Sequence, residues 1–128
     1  MDKIIIKNLE IFSYVGVNKE EKILGQKFLI DLFMYVDIKN SGENDNLDST
    51  ISYSNVIKFL TKFLSEKTYD LLEKTASVLA KELFLKYEML NGLKLCLKKP
   101  MAPMKAHFDY VAVEIERFRS DFFNWKLF

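Results

Sequence analysis

Apolar and polar residues alternate along two stretches near the start of the chain, and this period of two is typical of β-strands. The first stretch covers residues 3–14 and the second covers residues 26–38, with a polar loop between them. One face of the second stretch is continuously apolar and consists of Phe28, Ile30, Leu32, Met34, Val36 and Ile38. We expect these two strands to pair antiparallel.

The pattern changes to a helical period in the middle of the chain. Residues 41–46 form a loop by composition, and Ser52 or Ser54 is placed to cap the helix that follows. This helix repeats apolar residues at helical spacing, namely Val56, Ile57, Leu60, Phe63 and Leu64. A second amphipathic helix extends from Leu71 to about residue 87, and the dipeptide Asn91-Gly92 ends it.

Alternation returns over residues 93–98 and 111–116, which predicts a second hairpin. The connection between these strands contains Pro100 and Pro103, and proline makes a helix there unfavourable. The predicted order of elements is therefore strand, strand, helix, helix, strand, strand. We expect an α+β fold in which an antiparallel four-stranded sheet carries two helices on one face.

Such a sheet leaves its other face and its edges uncovered, which favours oligomerisation. Leu29, Phe33 and Tyr35 lie on that outer side of the second strand. We expect one domain at residues 1–118. The apolar tail at residues 119–128 should belong to the same domain and pack either on it or on a neighbouring subunit.

Composition restricts the kinds of partner and chemistry that are available. The chain has 128 residues, 49% of them apolar, which is enough for one sizeable core. Its 19 basic and 18 acidic residues nearly balance, so no general field attracts nucleic acid or an anionic membrane. A lone cysteine, Cys96, and an amino terminus without a signal-peptide pattern lead us to expect a cytoplasmic protein. The single histidine, His107, excludes a His-rich metal centre.

Any catalysis must then use carboxylates, lysines and tyrosines. Four segments contain such residues at positions where they could take part in catalysis or binding. The loop 14–26 holds Glu21 ahead of a Gly-Gln pair, although a solvated charge run has the same composition. Tyr53 precedes a helix, where simple packing is an alternative, and Glu73 occupies a first helical turn, where the helix dipole favours a carboxylate. The connection 98–110 offers three lysines and the histidine, which solubility alone could explain.

The order and spacing of these segments together resemble the dihydroneopterin aldolase family, from Lys3 to about Arg117. The matching features are the Tyr14-x-Gly16 loop with Glu21 ahead of Gly25-Gln26, Asp45-Asn46 before Tyr53, Leu72-Glu73, Lys99-Pro100-x-Ala102-Pro103, and the run from His107 to Val111. The resemblance implies the tunnelling fold, in which the predicted elements assemble into rings of four that usually stack as a homo-octamer. Active sites in this family lie between subunits.

The resemblance also implies an activity. Dihydroneopterin aldolases are lyases of folate biosynthesis that split 7,8-dihydroneopterin into 6-hydroxymethyl-7,8-dihydropterin and glycolaldehyde. The C=N bond beside the pterin side chain accepts the electron pair released on cleavage, so proton transfer and positioning suffice, and neither a metal nor another cofactor is needed.

Residue roles carry over from the family at the matching positions. Glu73 would hold the pterin's amino group and ring N–H through two charge-assisted hydrogen bonds. Backbone groups near Leu72 and Ile51 would complete the ring pocket. Tyr53 would lie against the pterin from another chain and is a candidate to deliver a proton to the carbon left by cleavage.

Lys99 is the candidate general acid and base, because a lysine partly desolvated beside Lys98 would be less basic than usual. Glu21 would orient Lys99 and the substrate hydroxyls. Lys98 remains a weaker candidate for the working amine, and the Lys-Pro-x-Ala-Pro register favours Lys99.

Two other functions remain open at this point. A dihydroneopterin phosphate epimerase of the same family would cleave the bond and re-form it on the other face of glycolaldehyde, and the lysines at 98, 99 and 105 would suit a phosphorylated substrate. A non-catalytic pterin-binding oligomer would keep the fold without turnover. Val15 and Lys105-Ala106 depart from a common histidine and a common Pro-Gly in the family, and we expect these departures to affect the substrate preference and not the reaction type.

Overall fold

Four strands form one antiparallel sheet in the order β1-β2-β3-β4. The computed structural model describes residues 1–123, and the rest of the predicted apolar tail, residues 124–128, lies outside the described residues. The strands are β1 (Lys3–Ser13), β2 (Gln26–Tyr35), β3 (Gly92–Lys99) and β4 (Val111–Phe118). Antiparallel pairing of the first two strands and a second hairpin from the last two are both confirmed.

Two long helices cover one face of this sheet. They are α3 (Tyr53–Glu66) and α4 (Leu72–Lys86), and α3 begins after Ser52, whose hydroxyl accepts the backbone N–H of Asn55 at 3.3 Å. The alternating apolar residues of β2 and β3 face them and are fully buried, among them Phe28, Ile30, Leu32, Met34, Leu93, Leu95 and Leu97. The predicted α+β architecture and element order are therefore confirmed.

Two short helices lie where the sequence predicted loops. These are α1 (Lys19–Leu24) in the connection after β1 and α2 (Lys39–Asn44) after β2, so the expectation of a plain loop at residues 41–46 is wrong. Both helices are only six residues long and mostly exposed, so they carry no apolar periodicity to reveal them. Strand β2 also ends at Tyr35, three residues before the predicted end.

The outer face of the sheet carries buried polar groups as well as apolar ones. Lys98 Nζ lies 2.9 Å from an Asp31 carboxylate oxygen, and the other oxygen of that carboxylate accepts the backbone N–H of Asn8 at 2.7 Å. Tyr35 donates its hydroxyl to Glu116 at 2.5 Å, and this bond together with burial raises the pKa of Tyr35 to about 12. The outer face of the sheet was predicted to be partly apolar. The structure shows that ion pairs and hydrogen bonds between side chains also stabilise it.

The carboxyl-terminal segment packs on the helical layer as far as the structure describes it. A 3₁₀ turn at Arg119–Asp121 follows β4, and the ring centroid of Phe122 lies 5.5 Å from that of Phe84. The side chain of Arg119 donates to the carbonyl oxygen of Phe84 in the last turn of α4 and to those of Tyr87 and Leu90 just after the helix. None of the helices in residues 1–123 is long and apolar enough to cross a membrane.

Candidate active site

A buried ion pair joins α1 to the end of β3. Lys99 is the last residue of β3, and its Nζ donates to Glu21 Oε2 at 2.7 Å. Each residue is only 8% exposed. The Lys99 ammonium also lies 5.6 Å from the centroid of the Phe28 ring, which shields one side of it from water. The pair therefore sits at the boundary between the core and the surface.

Three donors hold the Glu21 carboxylate. Besides Lys99, the backbone N–H of Asn18 donates to Oε1 at 3.2 Å and the Gln26 amide donates to Oε2 at 2.8 Å. Burial by itself would raise the pKa of Glu21. The hydrogen bonds from Lys99, Asn18 and Gln26 and the charge of Lys99 outweigh burial, so the pKa lies below its ordinary value. Glu21 is thus a fixed, ionised acceptor at neutral pH.

Two glycines explain the shape of the loop around Glu21. A Cβ atom on Gly16 would lie 2.4 Å from the carboxyl carbon of Glu21, so only glycine leaves room for the carboxylate. Gly25 ends α1 with φ +67°, a left-handed conformation that glycine adopts without strain. The glycines of the Tyr-x-Gly and Gly-Gln parts of the sequence motif therefore both help to hold the Glu21 carboxylate in its position.

The loop that carries Glu21 is attached to the segment that precedes α4. The backbone N–H of Gly16 donates to the carbonyl of Tyr69 at 3.0 Å. Lys22 Nζ donates to Asp70 Oδ1 at 2.5 Å and also to the carbonyl of Gly16. These contacts set the separation between Glu21 and the first turn of α4.

Leu72 and Glu73 form that first turn, and together with the ion pair they line one pocket of about 260 Å³. The first N–H groups of a helix have no partner within the helix and can donate to a ligand. The pocket thus combines the carboxylates of Glu21, Asp70 and Glu73 with free backbone donors and the buried ammonium of Lys99. Its lining residues are Val17, Asn18, Glu21, Asp70, Leu71, Leu72, Glu73, Lys99, Ala102, Pro103, Met104 and Val111.

Two of the predicted site residues lie outside this pocket in a single chain. Tyr53 is the first residue of α3 and is 63% exposed. Ile51 is buried in the core and 4% exposed. The fold therefore brings Glu21, Leu72, Glu73 and Lys99 together, and it leaves the Tyr53 side chain free on the surface.

The expected pairing of Lys98 with Lys99 is wrong. Successive side chains of a strand point to opposite faces of the sheet, so Lys98 lies on the outer face with Asp31 while Lys99 faces the helices with Glu21. Lys98 also donates to the Asn8 side-chain oxygen. The two ammonium groups thus belong to separate ion pairs.

Sequence reasoning missed the residues that position Glu21. Gln26 was visible only as part of the Gly-Gln pair, and its Oε1 is buried without a hydrogen-bond partner among the described residues. Asn18, Lys22 and Asp70 carried no recognisable signal, because their partners are set by the tertiary structure. Within residues 1–123, no three His, Cys, Asp or Glu side chains group closely enough to hold a metal ion.

The lowered pKa of Glu21 predicts how this site responds to acid. A carboxyl with a depressed pKa in the folded state stabilises the fold above its ordinary pKa of about 4.3, and this contribution is lost as the pH falls through the folded value. Wild-type protein should therefore have a larger free energy of unfolding than Glu21→Gln at pH 7. Denaturant unfolding from pH 7 to about pH 3 should show this difference shrinking. If the difference in free energy of unfolding between wild type and Glu21→Gln stayed constant over this pH range, the lowered pKa of Glu21 would be contradicted.

Several known proteins are similar to this chain over most of its length. The dihydroneopterin aldolase family model matches residues 4–116. Dihydroneopterin aldolase 1 of Arabidopsis thaliana is 36% identical over 93% of this chain and 82% of that protein. Dihydroneopterin aldolase of Streptococcus pyogenes serotype M1 is 32% identical over 93% of this chain and 100% of that protein. The crystal structure of E. coli dihydroneopterin aldolase in complex with neopterin has a TM-score of 0.83 at 26% identity, covering 91% of this chain and 99% of that chain.

Proposed function

This chain belongs to the dihydroneopterin aldolase family, the carbon–carbon lyases of folate biosynthesis, and we propose that Lys99 and Glu21 carry out its reaction without a metal. The substrate is 7,8-dihydroneopterin, and the products are 6-hydroxymethyl-7,8-dihydropterin and glycolaldehyde. The observation that carries the proposal is the buried contact of 2.7 Å between Lys99 and Glu21 in the pocket that also contains Glu73.

The reaction needs a proton removed at one point and returned at another. Lys99 first releases one proton of its ammonium group to solvent, and the neutral amine then takes the proton from the hydroxyl on the second side-chain carbon. The C=O bond of glycolaldehyde forms as the adjacent carbon–carbon bond breaks. The released electron pair moves into the C=N bond of the pterin. Protonation of the remaining carbon then gives the hydroxymethyl product. Glu21 stabilises the ammonium formed on Lys99 and keeps the amine in position.

Binding of the pterin ring falls to the first turn of α4. Glu73 accepts two hydrogen bonds from the ring's amino group and the neighbouring N–H, a geometry that suits a carboxylate. The unpaired N–H groups of the first turn, including that of Leu72, are available to the ring carbonyl. The amino group, the neighbouring N–H and the carbonyl of the ring thereby each gain a partner.

A neighbouring chain completes the site. Tyr53 is 63% exposed and does not line the pocket of its own chain, so its hydroxyl is available to the pocket of a second subunit. There it lies against the pterin and delivers the proton to the carbon left by cleavage, while the backbone near Ile51 closes the ring pocket. This arrangement requires a second subunit, and the rings implied by the family resemblance, a homo-tetramer or a homo-octamer, would supply it.

The products distinguish this function from its alternatives. Purified protein is incubated with 7,8-dihydroneopterin, with and without a metal chelator, and the products are separated by chromatography. We expect hydroxymethyl-dihydropterin and glycolaldehyde in equal amounts at the same rate in both samples. Recovery of only the inverted diastereomer would identify an epimerase, and tight binding without product would identify a non-catalytic pterin-binding oligomer.

The close approach of Gly16 to Glu21 gives a further prediction. A Gly16→Ala variant pushes the carboxylate out of place, and misplacement of a catalytic group by about 1 Å costs up to about 100-fold in rate. We therefore expect kcat/KM to fall by roughly tenfold to 100-fold in steady-state assays. Gly42→Ala is the matched control, because a Cβ there meets nothing within 4 Å and α2 lies outside the pocket. Equal activity of the two variants would contradict the proposed position of Glu21.

A further inference from the structure

A second concave surface lies on the helical layer, between α3 and the end of α4. It encloses about 410 Å³ and shares no lining residue with the candidate active site. We call it the lysine–phenylalanine groove, and it is lined by Asn55, Lys58, Phe59, Lys62, Phe63, Glu66, Lys67 and Lys86. Its volume falls within the range of about 300–1,000 Å³ that is typical of small-molecule sites.

The groove concentrates positive charge that the rest of the chain does not share. Four lysines and one glutamate give it a net charge of +3, whereas the whole chain has +1. None of the four lysines has a carboxylate within 4.0 Å among residues 1–123. Lys58 and Lys62 are four residues apart on α3, an arrangement in which like charges destabilise a helix. The groove is therefore an electrostatic match for an anion.

Two aromatic rings form the floor of the groove. The ring centroids of Phe59 and Phe63 are 6.2 Å apart. Lys86 Nζ lies 5.3 Å from the Phe59 centroid, and Lys67 Nζ lies 5.2 Å from the Phe63 centroid. An ammonium group thus lies over each ring, held by a contact with an aromatic face instead of a carboxylate.

We propose that the lysine–phenylalanine groove binds an anionic ligand that carries a planar aromatic ring, of the class of nucleoside polyphosphates. Charge-assisted hydrogen bonds to phosphate are stronger than exposed contacts between a cation and a ring, so Lys67 and Lys86 exchange the rings for phosphate oxygens. This movement uncovers the phenylalanine faces. The planar ring of the ligand then stacks on Phe59, while the lysines of α3 hold the remaining phosphate charge.

Equilibrium dialysis with ATP, adenosine and inorganic tripolyphosphate tests the proposal. ATP should bind to the wild-type protein with a Kd below roughly 1 mM at low salt, and more tightly than either adenosine or tripolyphosphate. Binding should weaken as salt is added, because Lys58, Lys62 and Lys86 are exposed and Lys67 is only partly buried. Lys62→Gln and Lys86→Gln should each lower the ATP affinity roughly tenfold, and Lys39→Gln, an exposed lysine outside the groove, should leave it unchanged.

Other outcomes would overturn the proposal. If neopterin displaces the bound ATP competitively, the nucleotide occupies the active-site pocket instead of the groove. Equal affinities for wild-type protein and the Lys62→Gln and Lys86→Gln variants, with folding verified by thermal unfolding, would show that these lysines bind no ligand. If the wild-type protein binds no ATP at about 1 mM ATP, the groove is not a nucleotide site. Turnover of dihydroneopterin is measured on the same samples, so failure of this proposal is separable from failure of the aldolase function.

Discussion

Replacing Lys99 with alanine is expected to lower kcat by roughly 10²- to 10⁴-fold, the usual contribution of a general acid or base. The expectation follows from its position, since its Nζ is the ammonium in the pocket that contacts the buried carboxylate of Glu21. The affinity for a pterin ligand should change little, because the proposed mechanism assigns ring binding to Glu73 and not to Lys99. Steady-state kinetics and equilibrium binding of neopterin measure the two quantities separately.

Two further variants make this result interpretable. Lys99→Ala and Lys99→Met both leave the Glu21 charge without its main partner, which lowers stability. Lys99→Met keeps the apolar length of the side chain, so a loss of kcat common to both variants is due to the missing amine and not to lost packing. Lys98→Met, the same substitution at the adjacent residue, is the matched control. It removes an ammonium from the outer face of the sheet and should lower the free energy of unfolding without the loss in kcat. A greater loss of kcat in Lys98→Met than in Lys99→Met would assign the working amine to Lys98.

Glu73→Gln is expected to lower kcat/KM by roughly 10³-fold, mainly through KM. A glutamine keeps the size of the side chain but replaces two charge-assisted hydrogen bonds, each worth about 1.5–3 kcal/mol, with one weaker acceptor and a misplaced donor. The Kd of the same variant for neopterin should rise by about the same factor as its KM for the substrate. Calorimetric titration with neopterin checks the binding directly.

Glu82→Gln provides the control for Glu73→Gln. Glu82 lies on the same helix, is exposed, and does not line the pocket. Its substitution changes the net charge by the same amount and should leave both kcat and KM near the wild-type values. If Glu73→Gln lowered kcat and left binding intact, the carboxylate would act in the chemical step, and the ring would need another anchor.

Much of the fold could be predicted because strong periodic patterns decide it. The alternation at Phe28, Ile30 and Leu32 can bury one face only if the segment is a strand, and the spacing of Val56, Leu60 and Phe63 can do so only in a helix. The short helix α1 escaped prediction because Glu21 is its only buried residue. Its position depends on tertiary contacts from Lys99 and Gln26, which no local pattern encodes.

The candidate site was predictable only in part for a related physical reason. Family spacing identified Glu21, Glu73 and Lys99, and the fold places all three around one pocket. The strand period of two also separates the two candidate lysines, since Lys98 and Lys99 face opposite sides of β3 and only Lys99 lines the pocket. That Lys99 is the working amine stays a prediction. Lys22 and Asp70 contact each other across 48 residues of chain, so only the folded structure reveals that they join the two halves of the pocket.

Mixed oligomers of two inactive variants test most directly that the site is shared between chains and depends on Lys99. Differently tagged Lys99→Ala and Tyr53→Ala chains are co-expressed, purified through both tags, and assayed with 7,8-dihydroneopterin. Each variant alone should be nearly inactive, and random mixing in a ring should regenerate about a quarter of the sites with both residues intact. Recovery of roughly that share of wild-type activity is the predicted result. Mixed oligomers as inactive as the separate variants, or two chains that do not purify together, would contradict the account.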